Sequence, residues 1–401
     1  EDHLYPLGSI VSYLIYSDEY DPIQAISITT KLLYVAWIIA TIFLLKLLYS
    51  DKTKIVLAIG LIVSNQALFF HNSTHWIVTS LVILFSVLTI FFIAKYISTK
   101  RTKFLICAYL FLILGTFSFE IFFASYSLIL LFSIYKIHLS DDAKKNKLLI
   151  LVKIILAIAM ALIPYLIFHY IQFSTILPSS RLGIETDGDV IRNGIVVGAK
   201  IINDIFYGMP RYFFLNFSQL FWVIVPLGLF TYLIRKKIAL FSNQNSNALI
   251  FASFFTLPVC MYTGRYWPGM WSFVGLMMLI AFASIIVETL KNFKINNTKR
   301  EYILSLIILI FLSFNLINPP HQVLSEHTKY IKNTSSAGYK VLNSAANKIT
   351  IVKLPDAKYL EHPVAFWTGN QIYHGNNGLS YFKEQNVMHM KDAYIETYKN
   401  P

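Results

Sequence analysis

The sequence predicts an all-α polytopic membrane protein of about ten membrane helices, with a further helix expected ahead of residue 1 and a small extracytoplasmic α/β region at the C-terminal end. Three observations predict it. Of 401 residues, 56% are hydrophobic and only 14% charged, about half the charge an ordinary soluble domain carries. The apolar residues come in long unbroken runs and not in stripes, so the excess is surface for lipid and not one large core. Lysine and arginine gather between alternate runs, as they do in the cytoplasmic loops of membrane proteins.

Residues 1–29 read as an extracytoplasmic acidic loop. It opens Glu1-Asp2-His3-Leu4-Tyr5-Pro6-Leu7-Gly8 and continues into an apolar stretch, Ile10 to Tyr16, too short to cross a bilayer and read as an interfacial helix. Residues 30–318 form the transmembrane domain, with spans expected at 30–49, 55–70, 76–94, 104–117, 120–135, 148–172, 212–234, 248–262, 268–290 and 302–318. The fourth and fifth nearly touch, so they are either two spans or a hairpin dipping in from the cytoplasm. Beyond Asn318-Pro319-Pro320 the chain turns polar. Ile349 to Leu354 reads as a strand ended by Pro355, and Gly375 to Gly378 as a tight turn, so 319–401 is expected to be an extracytoplasmic C-terminal domain.

Orientation follows from loop charge. One set of alternate loops carries 17 basic residues, among them Lys100, Lys144, Arg235 and Lys291, and the intervening connections carry five: Arg181, Arg192, Lys200, Arg211 and Arg265. The acidic loop, the 173–211 connection, the Arg265 loop and the tail therefore share the extracytoplasmic face. Because the net charge of +13 is spent on topology, nucleic acid is not an expected partner. Cys107 and Cys260 both sit inside apolar runs, which argues for small buried hydrophobes and against a disulfide or a metal site.

The chemistry-bearing residues are few. Glu1 and Asp2 point to opposite faces of an extended chain, so one can meet a substrate while the other orients a neighbour or a divalent cation. Glu120, after Gly115-Thr116-Phe117-Ser118-Phe119, is an ionisable group at membrane depth, where such groups face a cavity or a partner or snorkel to the interface. His71 and His75 have i, i+4 spacing, but no third ligand accompanies them. In Tyr262-Thr263-Gly264-Arg265-Tyr266-Trp267-Pro268, a lone Arg stands among aromatics at the mouth of a helix, and an anionic lipid phosphate is its natural partner. Arg211, between Pro210 and Tyr212, repeats that setting.

An acidic pair in the first outer loop, then Tyr5-Pro6-Leu7-Gly8 and a surface helix, then Arg265-Tyr266-Trp267-Pro268 opening a late helix before an extracytoplasmic tail, resembles the GT-C superfamily of membrane glycosyltransferases. Within it the chain looks most like the serotype-converting O-antigen glucosyltransferases of bacteria and phages. The pair reads Glu-Asp where two aspartates are common. The resemblance implies transfer of a sugar, glucose in that subgroup, from a polyprenyl-phosphate donor to a lipid-linked glycan acceptor such as O-antigen, on the periplasmic side of a bacterial inner membrane. It implies Asp2 and Glu1 as catalytic carboxylates, Arg265 and Arg211 on the donor phosphate, and His3, Glu120 and Tyr266 as further substrate contacts. No Gly-rich phosphate loop is present, as a lipid-borne donor allows.

Two rival readings stand beside it. An O-antigen polymerase or ligase would use Arg192 and Gly208, with fifteen residues between them, a spacing chance supplies about one time in five. A lipid-linked glycan flippase would call for charged residues at mid-membrane and for related halves, neither of which is evident.

Overall fold

A computed structural model describes residues 7, 11, 22–65, 68, 77–118, 122–140, 142–173, 244–262, 272–292, 295–317, 349–352 and 371–374. Among the described residues run nine helices: α1 (Pro22–Leu48), α2 (Lys52–Val63), α3 (Ile77–Thr99), α4 (Thr102–Thr116), α5 (Phe122–His138), α6 (Lys144–Phe173), α7 (Gln244–Tyr262), α8 (Ser272–Asn292) and α9 (Asn297–Ile317). Four contain stretches long and apolar enough to cross a membrane: Ile28–Leu48, Thr79–Thr99, Lys144–Ile171 and Phe273–Lys291. Strands β1 (Ile349–Val352) and β2 (Gln371–His374) pair in parallel, Ile349 opposite Gln371. The chain divides into two units, Glu1–Leu14 with Ser27–Ile317, and Ile15–Ile26 with Asn318–Pro401.

The helices overrun the apolar runs that announce them, mostly at their basic ends. α3 continues past Lys95 to Thr99, α5 includes Lys136 and His138, α6 begins at Lys144, and α9 begins at Asn297 ahead of Lys299 and Arg300. Hydropathy marks where lipid ends, whereas backbone hydrogen bonding carries a helix on into water. α1 starts at Pro22, a residue pre-shaped for the first helical position, and its stretch apolar enough to cross a membrane, Ile28–Leu48, agrees with the expected 30–49 span.

The expected 55–70 span is corrected the other way. α2 stops at Val63, about 18 Å from its start. The amide N–H of Ser64 donates to Gly60 O, and the buried Asn65 Oδ1 accepts from the amide N–H of Leu68 at 3.0 Å. An asparagine that captures backbone donors competes with the helix ladder, so apolarity through Phe70 does not suffice to carry α2 on.

α8 is the centre of the first unit. Phe273, Leu276, Met277, Ile280 and Val287 are fully buried, and α8 packs against α7, α2 and α3. α6 lies at the periphery: Leu149, Val152, Leu156, Met160 and Ile167 are exposed, and its buried edge is the narrow line Ile150, Ile154, Ala157, Ala161, Tyr165 and His169. Such a helix presents most of its girdle to lipid. α4 and α5, about 22 and 25 Å long, pack together on α3 and α6. Phe117, which ends α4, lies against Tyr165 and Phe168, with ring centroids 5.9 and 6.1 Å away. Those residues stand about 32 and 36 Å along α6, so the hairpin reaches the far third of that helix. Gly115 makes the turn close, because a Cβ there would collide with the Phe122 ring. Cys107 is a half-buried free thiol on α4.

Candidate functional site

The helix ends sort into two layers of different chemistry. At the basic end, charge is met by charge. Lys54, buried in the first turn of α2, is salt-bridged to Glu288 in the last turns of α8. One turn beyond, Lys291 Nζ lies 2.7 Å from Asp51 Oδ2, and the amide N–H of Thr53 donates to Asp51 Oδ1 at 2.9 Å. Burial pushes the Asp51 carboxyl up, but the hydrogen bonds from Lys291 and Thr53 and the charge of Lys291 overrule it and hold it below the usual carboxylate range. The Tyr49 hydroxyl shares a 3.0 Å hydrogen bond with Ser246, Asn245 donates to Leu48 O, and Lys136 Nζ donates to Asn245 Oδ1 at 2.5 Å. Lys100 Nζ reaches Asp142 Oδ2 at 2.5 Å, and its hydrogen bond is the main cause of a lowered Asp142 pKa. Every partner in these contacts belongs to a loop or helix end on the lysine-rich side.

At the far end the buried polar groups are neutral or imidazole. Thr29 and Thr30 on α1, Ser64 and Asn65 after α2, Thr79 and Ser80 at the start of α3, Ser118 after α4 and His169 on α6 are all buried. They lie between about 18 and 37 Å from the basic ends of their own helices. The Thr116 hydroxyl is hydrogen-bonded to the Tyr126 hydroxyl and donates to Leu112 O at 2.7 Å. Aromatic rings fill the spaces between: Tyr165 meets Phe117 and Phe123 edge-on at 5.9 and 5.3 Å, and His169 stacks on Tyr165 at 5.7 Å. The buried polar side chains of this end are hydroxyls, an amide and an imidazole, set among aromatic rings, with the exposed Lys31 following Thr30 on α1.

Glu1, Asp2, His3, Glu120, Arg211, Arg265 and Tyr266 all lie outside the described residues, as do His71, His75 and the Ile10–Tyr16 stretch apart from Val11. Their described neighbours are informative. The backbone N–H of Leu7 donates to Phe117 O at 3.3 Å, joining the N-terminal segment to the α4–α5 turn. In sequence, Asp2 is five residues before Leu7, and Glu120 falls between the described Ser118 and Phe122. α5 and α7 run antiparallel, held by Lys136–Asn245 at the basic end and by Ser127 Oγ to Thr256 Oγ1, 3.2 Å, farther up. From that contact α5 continues about 8 Å to Phe122 and α7 about 9 Å to Tyr262. α5 and α7 thus run side by side over this stretch, toward Phe122 and Tyr262. Arg211 has no described neighbour in sequence.

Among the described residues no group of three or more His, Cys, Asp or Glu could hold a metal ion. His169 is the far-end residue that the reading of motifs passed over; an ionisable side chain inside the 148–172 apolar run was the available signal.

No family model, curated protein or solved structure matches this chain.

Proposed function

We propose that the chain is a GT-C-type membrane glycosyltransferase that moves a sugar, glucose in the subgroup it resembles, from a polyprenyl-phosphate donor to a lipid-linked cell-surface glycan such as O-antigen. The reading places the reaction on the extracytoplasmic face of a bacterial inner membrane, opposite the lysine-rich layer. The observation that supports it is the Leu7–Phe117 hydrogen bond, between a residue four positions after His3 and one three positions before Glu120 in sequence.

The chemistry needs one base, one electrophilic carbon and a stabilised leaving group. The Asp2 carboxylate, with Glu1 orienting it, takes the proton of an acceptor hydroxyl. The hydroxyl oxygen bonds to the anomeric carbon, the bond from that carbon to the phosphate oxygen breaks, and polyprenyl phosphate departs with the electron pair. Arg265 and Arg211 offset the charge on the phosphate. His3, Glu120 and Tyr266 hold sugar hydroxyls. A divalent cation, if the transferase uses one, would sit on the acidic pair and the phosphate.

The test is transfer of radiolabelled glucose from synthetic polyprenyl-phosphate glucose to purified lipopolysaccharide by the full chain in lipid nanodiscs. Asp2→Asn should reduce turnover by roughly a hundredfold or more, the usual worth of a general base, with unchanged melting. Near-normal turnover would sink the assignment. Mass spectrometry of surface glycan from cells with and without the protein separates the rivals: one added hexose per repeat supports the transferase, altered chain length a polymerase, and accumulated lipid-linked precursor a flippase.

A further inference from the structure

We propose that the corner between α3 and α4 binds an anionic phospholipid of the leaflet at the lysine-rich end, its phosphate held between Lys95 and Lys103 and an acyl chain lying along the exposed stripe of α4. The site is independent of the transfer reaction proposed above.

Charge is the first step. Several lysines at that end have an acceptor: Lys100 has Asp142, Lys54 has Glu288, Lys291 has Asp51, Lys136 has the Asn245 side-chain oxygen and Lys147 has the His138 carbonyl. Lys95 and Lys103 have an aromatic ring instead. The Lys95 ammonium lies 5.3 Å from the Phe104 centroid and 4.8 Å from that of Phe91, and the Lys103 ammonium lies 5.4 Å from the Phe104 centroid. Sharing one ring keeps the two nitrogens no more than about 11 Å apart. Among the described residues no carboxylate is paired with either, and Asp142 in the neighbouring connection is bonded to Lys100. Membrane orientation asks only that positive charge collect on one side. It does not ask two cations to gather on one ring, an arrangement that favours an anion between them, where the flexible lysine stems close on a phosphate.

Packing holds this pair in place. Phe104 stacks on Phe92 at 6.3 Å, Phe92 on Phe111 at 5.5 Å and Phe111 on Phe85 at 6.0 Å. The ladder of rings joins α3, which carries Lys95, to α4, which carries Lys103 in its first turn. The shared ring is therefore fixed before any ligand arrives.

Apolar surface decides the kind of anion. Lys103, Ile106, Leu110 and Leu114 recur at steps of three and four residues, so they share one face of α4. Ile106, Leu110 and Leu114 are exposed, and α4 contains no Asp or Glu. From Lys103 to Leu114 the stripe runs about 17 Å, close to the roughly 15 Å of one half of a bilayer's hydrocarbon core. A cation at the foot of an apolar stripe of that length fits a lipid, phosphate at the interface and chain in the core. A free phosphate would use the cations alone.

The test measures lipid bound to the purified full chain in mixed micelles by native mass spectrometry, with phosphatidylglycerol and phosphatidylcholine titrated separately. The wild type should hold phosphatidylglycerol at least about tenfold more tightly. Each lysine beside an anionic lipid is worth about a factor of five, so Lys95→Gln with Lys103→Gln should weaken phosphatidylglycerol about tenfold or more and leave phosphatidylcholine unchanged. Lys52→Gln with Lys299→Gln removes as much charge from exposed positions elsewhere at the same end, and should change the affinity by less than about twofold. Equal losses in the two pairs would mean diffuse attraction and would overturn the proposal. Glycerol 3-phosphate at equal concentration should leave the bound lipid in place; displacement would make this a site for soluble phosphates and overturn the lipid assignment. Should the double variant fail to fold, Lys103→Gln alone should cost about fivefold, and an unchanged affinity there would overturn the site.

Discussion

The Lys54–Glu288 pair makes an asymmetric prediction. The Lys54 side chain is 5% exposed and the Glu288 side chain 22%, so the two halves of the pair differ in what they leave behind. Glu288→Gln strands an ammonium that has little water, with the Tyr49 ring 5.5 Å away as its remaining described aromatic neighbour. Removing one partner of a buried pair costs about 3–5 kcal/mol, and a stranded lysine in this position should fall in that range. Lys54→Met strands instead a carboxylate that can still be hydrated, at a cost of about 1–2 kcal/mol. Replacing both, Lys54→Met with Glu288→Met, should return stability to within about 1 kcal/mol of the wild type, because desolvation of the two charges disappears with their attraction. Denaturant titration of the purified chain in mixed micelles, followed by tryptophan fluorescence from the fully buried Trp37 in a background with other tryptophans replaced by phenylalanine, measures all three. Equal losses from the two single substitutions would refute the burial argument. A double variant as damaged as Glu288→Gln would refute the claim that the stranded charge is the cause.

Three further outcomes are expected. Gly115→Ala should cost about 1–3 kcal/mol by overpacking against the buried Phe122 ring, and Phe122→Leu in the same chain should recover part of it in the melting temperature; a harmless Gly115→Ala would mean the turn is looser than its geometry. Asp51, whose folded pKa is lowered, contributes stability that is full above its unfolded value near 3.9 and is lost as pH falls through the lower folded value. Melting should therefore be flat with respect to this group above about pH 5, decline below about pH 4, and decline less steeply in Asp51→Asn. Under the proposed function, Arg265→Lys keeps the charge and loses the two-pronged hydrogen bond, so the KM for polyprenyl-phosphate glucose should rise roughly tenfold; an unchanged donor KM would count against Arg265.

Much of the bundle was legible because lipid imposes one rule, that apolar runs become helices. Loop charge was legible for a related reason: Lys100 with Asp142, Lys291 with Asp51 and Lys136 with Asn245 join loops and helix ends that composition had already assigned to one side. What could not be read was anything set by pairing. Lys54 and Glu288 are 234 positions apart in sequence, and nothing local in either segment announces the other. The break after Val63 was hidden because Ser64 and Asn65 are two polar residues inside an apolar run, and only their hydrogen bonds show that they end the helix. Of the candidate site, the motif residues came from sequence, whereas the far-end polar lining came from structure. Threonines and serines spread over four segments carry no pattern until the helices place them toward one end.

The division of polar groups between the two ends bears on which reaction is reasonable. Two ion pairs at the basic end, Lys54 with Glu288 and Lys291 with Asp51, tie α2 and the residue before it to α8. At the far end the buried polar side chains are hydroxyls, Asn65 and His169, groups able to hydrogen-bond a neutral ligand. A transferase working on a lipid phosphate needs both a neutral lining for the sugar and a few isolated charges for the phosphate and the proton. In this sequence the isolated charges are those of the outer connections, Glu1, Asp2, Glu120, Arg211 and Arg265. A flippase would instead have to open the basic layer to let a headgroup pass, breaking the Lys54–Glu288 and Asp51–Lys291 bridges in every cycle. Cross-linking α2 to α8 at that layer, through cysteines placed at positions 55 and 287, therefore discriminates: a transferase keeps its turnover, and a flippase loses it.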